Sequence, residues 1–164
     1  MAPVGGLGVG KRSEASVPPA PDGADFEPVV LQRVLTNEVG FPGDNSDGSR
    51  GVYSVVFQLS DEPSPRWCDF FVNFWDHPQV SYASGKHRPG MASVVDNRVV
   101  LEETTIDEVE GFHLSVLKAA VRMANDAEAR ARVQDQHRAE HRRQEEAAHR
   151  RHVAEVAERL SLSE

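Results

Sequence analysis

Cysteine is almost missing from the chain. One thiol, Cys68, among 164 residues excludes an intramolecular disulfide and any zinc site built from four thiolates. No apolar run approaches the roughly 18 residues that a membrane span requires. An apolar signal core is lacking at the start too, since Met1 to Gly10 is glycine-rich and Lys11-Arg12 lies on the wrong side of it. These absences make the cytoplasm the expected location. Excess positive charge is missing as well. The formal net charge is -8, whereas affinity for duplex DNA or RNA rests on an excess of Lys and Arg, so nucleic acid is an unlikely ligand. Lysine itself is rare, three residues against fifteen arginines.

The charge is unevenly spread. Residues 26–104 carry six basic and eleven acidic groups, whereas residues 126–164 carry eight and nine. The negative charge therefore belongs to the middle of the chain, and the C-terminal region is a dense, nearly balanced polyampholyte. Residues 1–25 hold five glycines and several prolines with few large apolar side chains. Such a stretch buries too little surface to offset the entropy of ordering it, and reads as a disordered leader.

Between these ends the apolar pattern predicts a compact α+β domain over residues 26–125. Val29 to Leu35 is a β-branched-rich strand. Gly40 to Gly51 is a turn-forming loop. Val52 to Ser60 alternates, with Tyr53, Val55, Phe57 and Leu59 on one face, which is the period of a half-buried strand. Ser64-Pro65 reads as an N-cap followed by the first helical residue. Trp67, Phe70, Phe71, Phe74 and Trp75 then recur at helical steps until Pro78. Met91 to Val95 and Arg98 to Glu103 flank Asp96-Asn97, a two-residue hairpin turn. Thr105 to Glu108 fits a capping box. It opens a helix whose expected buried stripe is Ile106, Val109, Phe112, Val116, Leu117, Ala120, Val121 and Ala124. The order is ββαββα, two hairpins and two helices, with helices on one face of a sheet.

The last helix has no breaker after Asn125. Residues 126–152 contain neither proline nor glycine. Acid-before-base pairs such as Glu128–Arg132 and Glu140–Arg143 support a helix without tertiary packing, at about 0.2–0.5 kcal/mol each. Residues 126–164 are therefore expected to form a solvent-exposed charged extension. A sustained heptad pattern is lacking, since its core positions fall on Gln134, Arg138, His141 and Glu145. Val153, Val156, Ala157 and Leu160 restore a short apolar stripe at the far end.

Several motifs fail their chemical context. Gly5 to Lys11 matches a phosphate-loop spacing, but no strand precedes it, and Arg12 stands where a hydroxyl would hold magnesium. His137 to His141 matches H-x-x-E-H, yet no third ligand or apolar wall accompanies the two imidazoles. Asp44 to Gly48 lacks the carboxylates of a calcium loop at the required positions. Cys68 has no neighbouring cation to lower its pKa and reads as a small core residue. No metal, cofactor or catalytic residue is assigned. Four histidines of the extension, His137, His141, His149 and His152, give it a surface that gains charge near pH 5.

Two candidate sites remain. Lys86, His87 and Arg88 lie between glycines on a loop of an otherwise acidic domain, an arrangement able to receive a small anion or nucleotide. Val153, Val156, Ala157 and Leu160 form a candidate docking stripe. The leading functional expectation is a non-enzymatic interaction or assembly module, whose globular domain anchors a projecting helix that docks a protein partner or self-associates. The alternative is a small anionic-ligand or nucleotide-handling domain, conceivably an enzyme, using the Lys86–Arg88 loop.

Overall fold

The computed structural model describes residues 26–41, 51–79 and 86–161. The expected leader, the glycine-rich loop before Gly51 (Gly40 and Phe41 apart) and the residues flanking Lys86 on its N-terminal side lie outside them. The elements are β1 (Leu31–Val34), β2 (Tyr53–Leu59), α1 (Pro65–Asp76), β3 (Ala92–Val95), β4 (Arg98–Thr104) and α2 (Ile106–Glu108). A π-helical turn (Val109–His113) follows without a break and leads into α3 (Leu114–Ser161). This is the ββαββα order and the mixed α+β class read from the sequence. The four strands form one antiparallel sheet in the order β1-β2-β4-β3.

Local chemistry places the element boundaries. The Ser64 hydroxyl accepts a hydrogen bond from the Trp67 amide at 3.1 Å, and Pro65 occupies the first helical position, where no amide is needed. The β3–β4 hairpin turns at Asp96-Asn97, and Asp96 adopts φ +53°, a left-handed conformation that Asp tolerates better than most residues. On β2 Val55, Phe57 and Leu59 are buried as the alternation predicts, with Val99 and Leu101 of β4 beside them, while Tyr53 is only half-buried and Val56 on the other face is buried too.

Helix α1 closes this apolar face. Trp67, Phe71 and Trp75, at successive steps of four, are fully buried, while Phe70 and Phe74 are half-buried on its flanks. The five rings span an arc wider than one contact stripe, so three of them form the core. Val116, Leu117, Ala120, Val121 and Ala124 of α3 complete the same cluster.

Polar contacts then fix how α3 lies on the domain. Asn125 Oδ1 accepts from the Val29 amide at 3.0 Å and from Trp67 Nε1 at 2.8 Å, and its Nδ2 donates to the Val29 carbonyl at 2.8 Å. One side chain thus ties α3 to α1 and to the segment leading into β1. Three residues later Glu128 is only 1% exposed. It is held by Arg66 at 2.9 Å and Arg132 at 2.8 Å, and Arg66 also reaches Asp135 at 2.6 Å. Burial by itself would raise the Glu128 carboxyl, but hydrogen bonds from Arg66 and Arg132 outweigh it and hold the group below the ordinary range. The same pairing raises the Arg66 guanidinium further, chiefly through Glu128. Arg132 lies over the Phe26 ring, 4.9 Å from its centroid.

These contacts move the start of the exposed extension. The charge pattern placed it at residue 126, whereas burial reaches Glu128 and partial burial continues through Val133. The cause is Arg66, which lies far away in sequence and supplies the cation that lets a carboxylate be buried. From Gln134 to Leu160 the helix is exposed, apart from half-buried Ala139, Ala147 and Val156. That stretch is about 40 Å long at about 1.5 Å per residue.

Replacing Asn125 with Ala would leave the Trp67 indole N–H and both Val29 backbone groups without partners. Each stranded group costs about 1–3 kcal/mol, so Asn125→Ala should lose a few kcal/mol in total, read as a lower urea midpoint. Asn125→Asp keeps the acceptor and should fall between the two. Equal midpoints for all three proteins would show that the clamp does not hold α3.

Candidate functional site

Two backbone irregularities meet at one end of the sheet. Along β2 and β4 the pairing passes from Tyr53↔Thr104 to Val55↔Leu101, so β4 carries one extra residue there. Glu103, inside that bulge, adopts φ +52°, uncommon for a residue with a side chain. Six residues on, the helix opens into the π turn, with the Leu114 amide bonded to the Val109 carbonyl. Bulges of both kinds re-aim side chains and recur beside functional sites.

Between them lies a short polar chain. The Thr105 hydroxyl caps α2 by accepting from the Glu108 amide at 3.2 Å, and the Tyr53 hydroxyl accepts from the Ile106 amide at 2.9 Å. The Glu108 carboxylate, which would return to the cap in a full capping box, points elsewhere. It pairs with Lys86 Nζ at 2.8 Å and accepts from the Thr104 hydroxyl at 3.3 Å. The hydrogen bond from Lys86 is the main reason its carboxyl titrates below the ordinary range, against the opposing effect of burial.

The π turn also corrects the expected stripe. Val109 is buried as anticipated, but Ile106 and Phe112 are 42% and 46% exposed, and His113 is buried completely. At about 100° per residue, position 113 and not 112 faces inward when counted back from Leu117 and Ala120. The apolar ring of Phe112 drew the assignment one position too early. Ile106 is turned outward by the extra residue of the π turn.

His113 joins Trp75 and His87 in an aromatic cluster. Ring centroids are 4.6 Å apart for Trp75–His87, 5.8 Å for Trp75–His113 and 6.3 Å for His87–His113. His87 Nε2 lies 2.8 Å from the Trp75 carbonyl. A carbonyl only accepts, so the proton is assigned to Nε2, which leaves Nδ1 as an acceptor. That Nδ1, both nitrogens of His113 and the Trp75 indole N–H are buried without a hydrogen-bond partner. Burial, then the neighbouring His87, pushes the His113 imidazole below its ordinary pKa, while Glu108 works the other way.

The Lys86–Arg88 loop reaches this site with both cations already paired. Lys86 holds Glu108 and stands 5.7 Å from the Phe112 ring centroid, and Arg88 holds Glu103 at 2.9 Å. The shallow groove beside Arg88, about 230 Å³, is lined also by Pro89, Gly90, Met91, Glu102 and Glu103. Two carboxylates in its wall disfavour an anion there.

At the other end of the molecule, Val153 is 50% and Leu160 71% exposed, with Val156 half-buried and Ala157 exposed. His137 and His141 lie on the exposed helix, where His141 Nδ1 is 3.4 Å from Glu145. Among the described residues no three side chains gather as a metal site. Cys68 is half-buried on α1, and burial raises its thiol, the reverse of what a nucleophile needs. No helix among the described residues is long and apolar enough to cross a membrane. The chain matches no protein-family model, no curated protein and no solved structure.

Because both loop cations are about half exposed, each pair is worth at most about 1 kcal/mol. Lys86→Ala with Arg88→Ala should therefore cost little at pH 7 in urea unfolding. Glu108 titrates below its unfolded value, so its pair stabilises above about pH 4.5 and fades as the pH falls. The difference between variant and native protein should hold from pH 7 to about pH 5 and shrink as the pH falls below about 4.5. A constant difference would mean that Lys86 contributes through packing and not through charge.

Proposed function

We propose that the protein is a non-enzymatic assembly module, in which the globular domain holds α3 at a fixed angle and the distal stripe of α3 docks on a second copy of the chain. The supporting observation is a phase relation along one helix. Leu117, Ala120, Val121 and Ala124 face the domain's core. Val153, Val156, Ala157 and Leu160 follow them by 36 residues each, a whole number of turns at about 3.6 residues per turn. The end of the rod thus presents the kind of face that α1 covers at its root, turned to the same side. Between the two stretches the face is charged, so the helix carries two separated apolar patches, one covered by the domain and one exposed.

A second copy suits this surface for electrical reasons. Residues 126–164 are close to neutral, with eight basic and nine acidic groups, so two rods meet without the repulsion that blocks of one sign would bring. A two-turn patch is small beside the roughly 1,600 Å² of a typical stable interface. Contact therefore has to run along the rod as well as at its tip. The alternative reading, a small anionic ligand at Lys86, His87 and Arg88, has less support, because binding would have to break two ion pairs.

Sedimentation of the full chain against one ending at Gln136, which retains the Arg66–Glu128–Asp135 contacts, tests the proposal. The full chain should associate with rising concentration and the shortened one should not. Val153→Gln with Leu160→Gln keeps good helix formers and should abolish association while leaving the thermal midpoint unchanged. A full chain that remains monomeric at every concentration overturns self-docking.

A further inference from the structure

We propose that His87 and His113 form an acid-operated latch, which holds residues 86–91, the described end of the connection between α1 and β3, against the π turn while His113 is neutral and releases them when it is protonated. The proposal is independent of the assembly reading. It rests on the burial of four unpartnered polar atoms in one cluster, an arrangement native proteins rarely keep without a role. Two imidazoles without a third ligand do not make a metal centre.

Each ring holds one side of the joint. His87 belongs to the connection, fixed by its bond to the Trp75 carbonyl, and the Gly90 amide is held nearby by Asp76 Oδ1 at 2.8 Å. His113 ends the π turn and has no bond of its own. It is kept in place by packing on Trp75 and His87 and by the cost of leaving the core. While both rings are neutral this arrangement is uncharged and apolar in character.

A proton taken from solvent changes that balance. The charged and titratable groups interacting with His113 are His87 and Lys86 from the connection and Glu108 from α2. From α1, Trp75 contributes only its neutral ring. Glu108, the one attractive group, is already paired to Lys86 and bonded to Thr104. Protonated His113 would be a buried cation facing a lysine and a second imidazole, and the simplest relief is to leave the core. Helical phase alone would keep position 113 inward, so the ring leaves by local opening of the turn that carries it.

The sign follows from linkage. His113 titrates below its unfolded value, so its contribution to stability is present above about pH 6.5 and is lost as the pH falls toward its folded pKa. Carboxylates such as Glu108 and Glu128 act at lower pH, below about 4.5, so the windows separate.

Urea unfolding of the full chain from pH 8 to pH 5, with amide exchange over residues 86–91 and 109–113, tests the latch. The native protein should lose midpoint across pH 7 to 5 and lose amide protection in those segments before the sheet. His113→Phe fills the space without a titrating group and should remove roughly half or more of the pH-dependent loss. An unchanged loss in that variant overturns the proposal. Should the variant not fold, the imidazole resonances of the native protein decide. His113 titrating at an ordinary pKa, with protection of both segments unaltered, overturns it equally.

Discussion

The structure depends on getting one long, mostly polar helix to lie on a small sheet in a single register. Apolar contact does not set that register finely, because the buried stripe of α3 is largely alanine and valine, small side chains that fit at neighbouring positions. Asn125 supplies the precision. Its amide meets the Val29 backbone from both sides and the Trp67 indole from a third direction, and a one-residue slip would strand all three. Trp67 is the first fully buried ring of α1, so the same contact fixes the height of α1 against α3. Sheet, α1 and α3 are thereby positioned together.

Just beyond this point, the Glu128 cluster determines where the domain ends. A carboxylate is buried there only because Arg66 and Arg132 approach it from two elements. Beyond Val133 the described helix is largely exposed and rests mainly on local interactions. Asp135–Arg138 and Glu140–Arg143, each 3.8 Å apart, are of the weak, exposed kind that support an isolated helix. This division explains how a chain with so small a core carries a helix of 48 residues. Stability is concentrated at the root, and the distal part needs only propensity.

Much of the fold was legible because its signals are local. The Ser64 cap, the alternation on β2, the Asp96 turn and the Thr105 cap each need only a few neighbouring residues. What escaped the sequence was set by partners far along the chain. Glu128 reads as one member of an exposed i,i+4 pair, and Arg66, 62 residues earlier, makes it a buried one. Of the site, the Lys86–Arg88 loop was visible as a cluster of cations, but the acids that pair with it lie on β4 and α2. The sequence places His113 at the edge of the stripe and Phe112 within it, because hydrophobicity outweighs phase when an aromatic residue is adjacent, and the structure reverses the two. The phase was there to be read: counting back from Leu117 and Ala120 selects 113. The π turn left no comparable trace, since the extra residue shows only as the misplaced Ile106.

The irregular end of the sheet and the regular rod place opposite demands on one continuous helical segment. Along the interior of the rod, backbone groups are satisfied by neighbouring turns of the helix. At the π turn one residue is inserted, and at its end helical phase keeps a histidine in the core with neither nitrogen bonded. A regular helix would turn Ile106 inward and bury an apolar side chain there, at the price of the present packing of Val109 in the core. The polar cluster therefore competes with a readily available apolar alternative. Its persistence is the physical reason to regard this end of the sheet as the responsive part of the molecule and the rod as the part that sets distance. A change of register in the π turn would be felt first by Lys86 and Glu108, which bridge the connection and the helix, and last by Asn125, where three hydrogen bonds hold α3 to the domain.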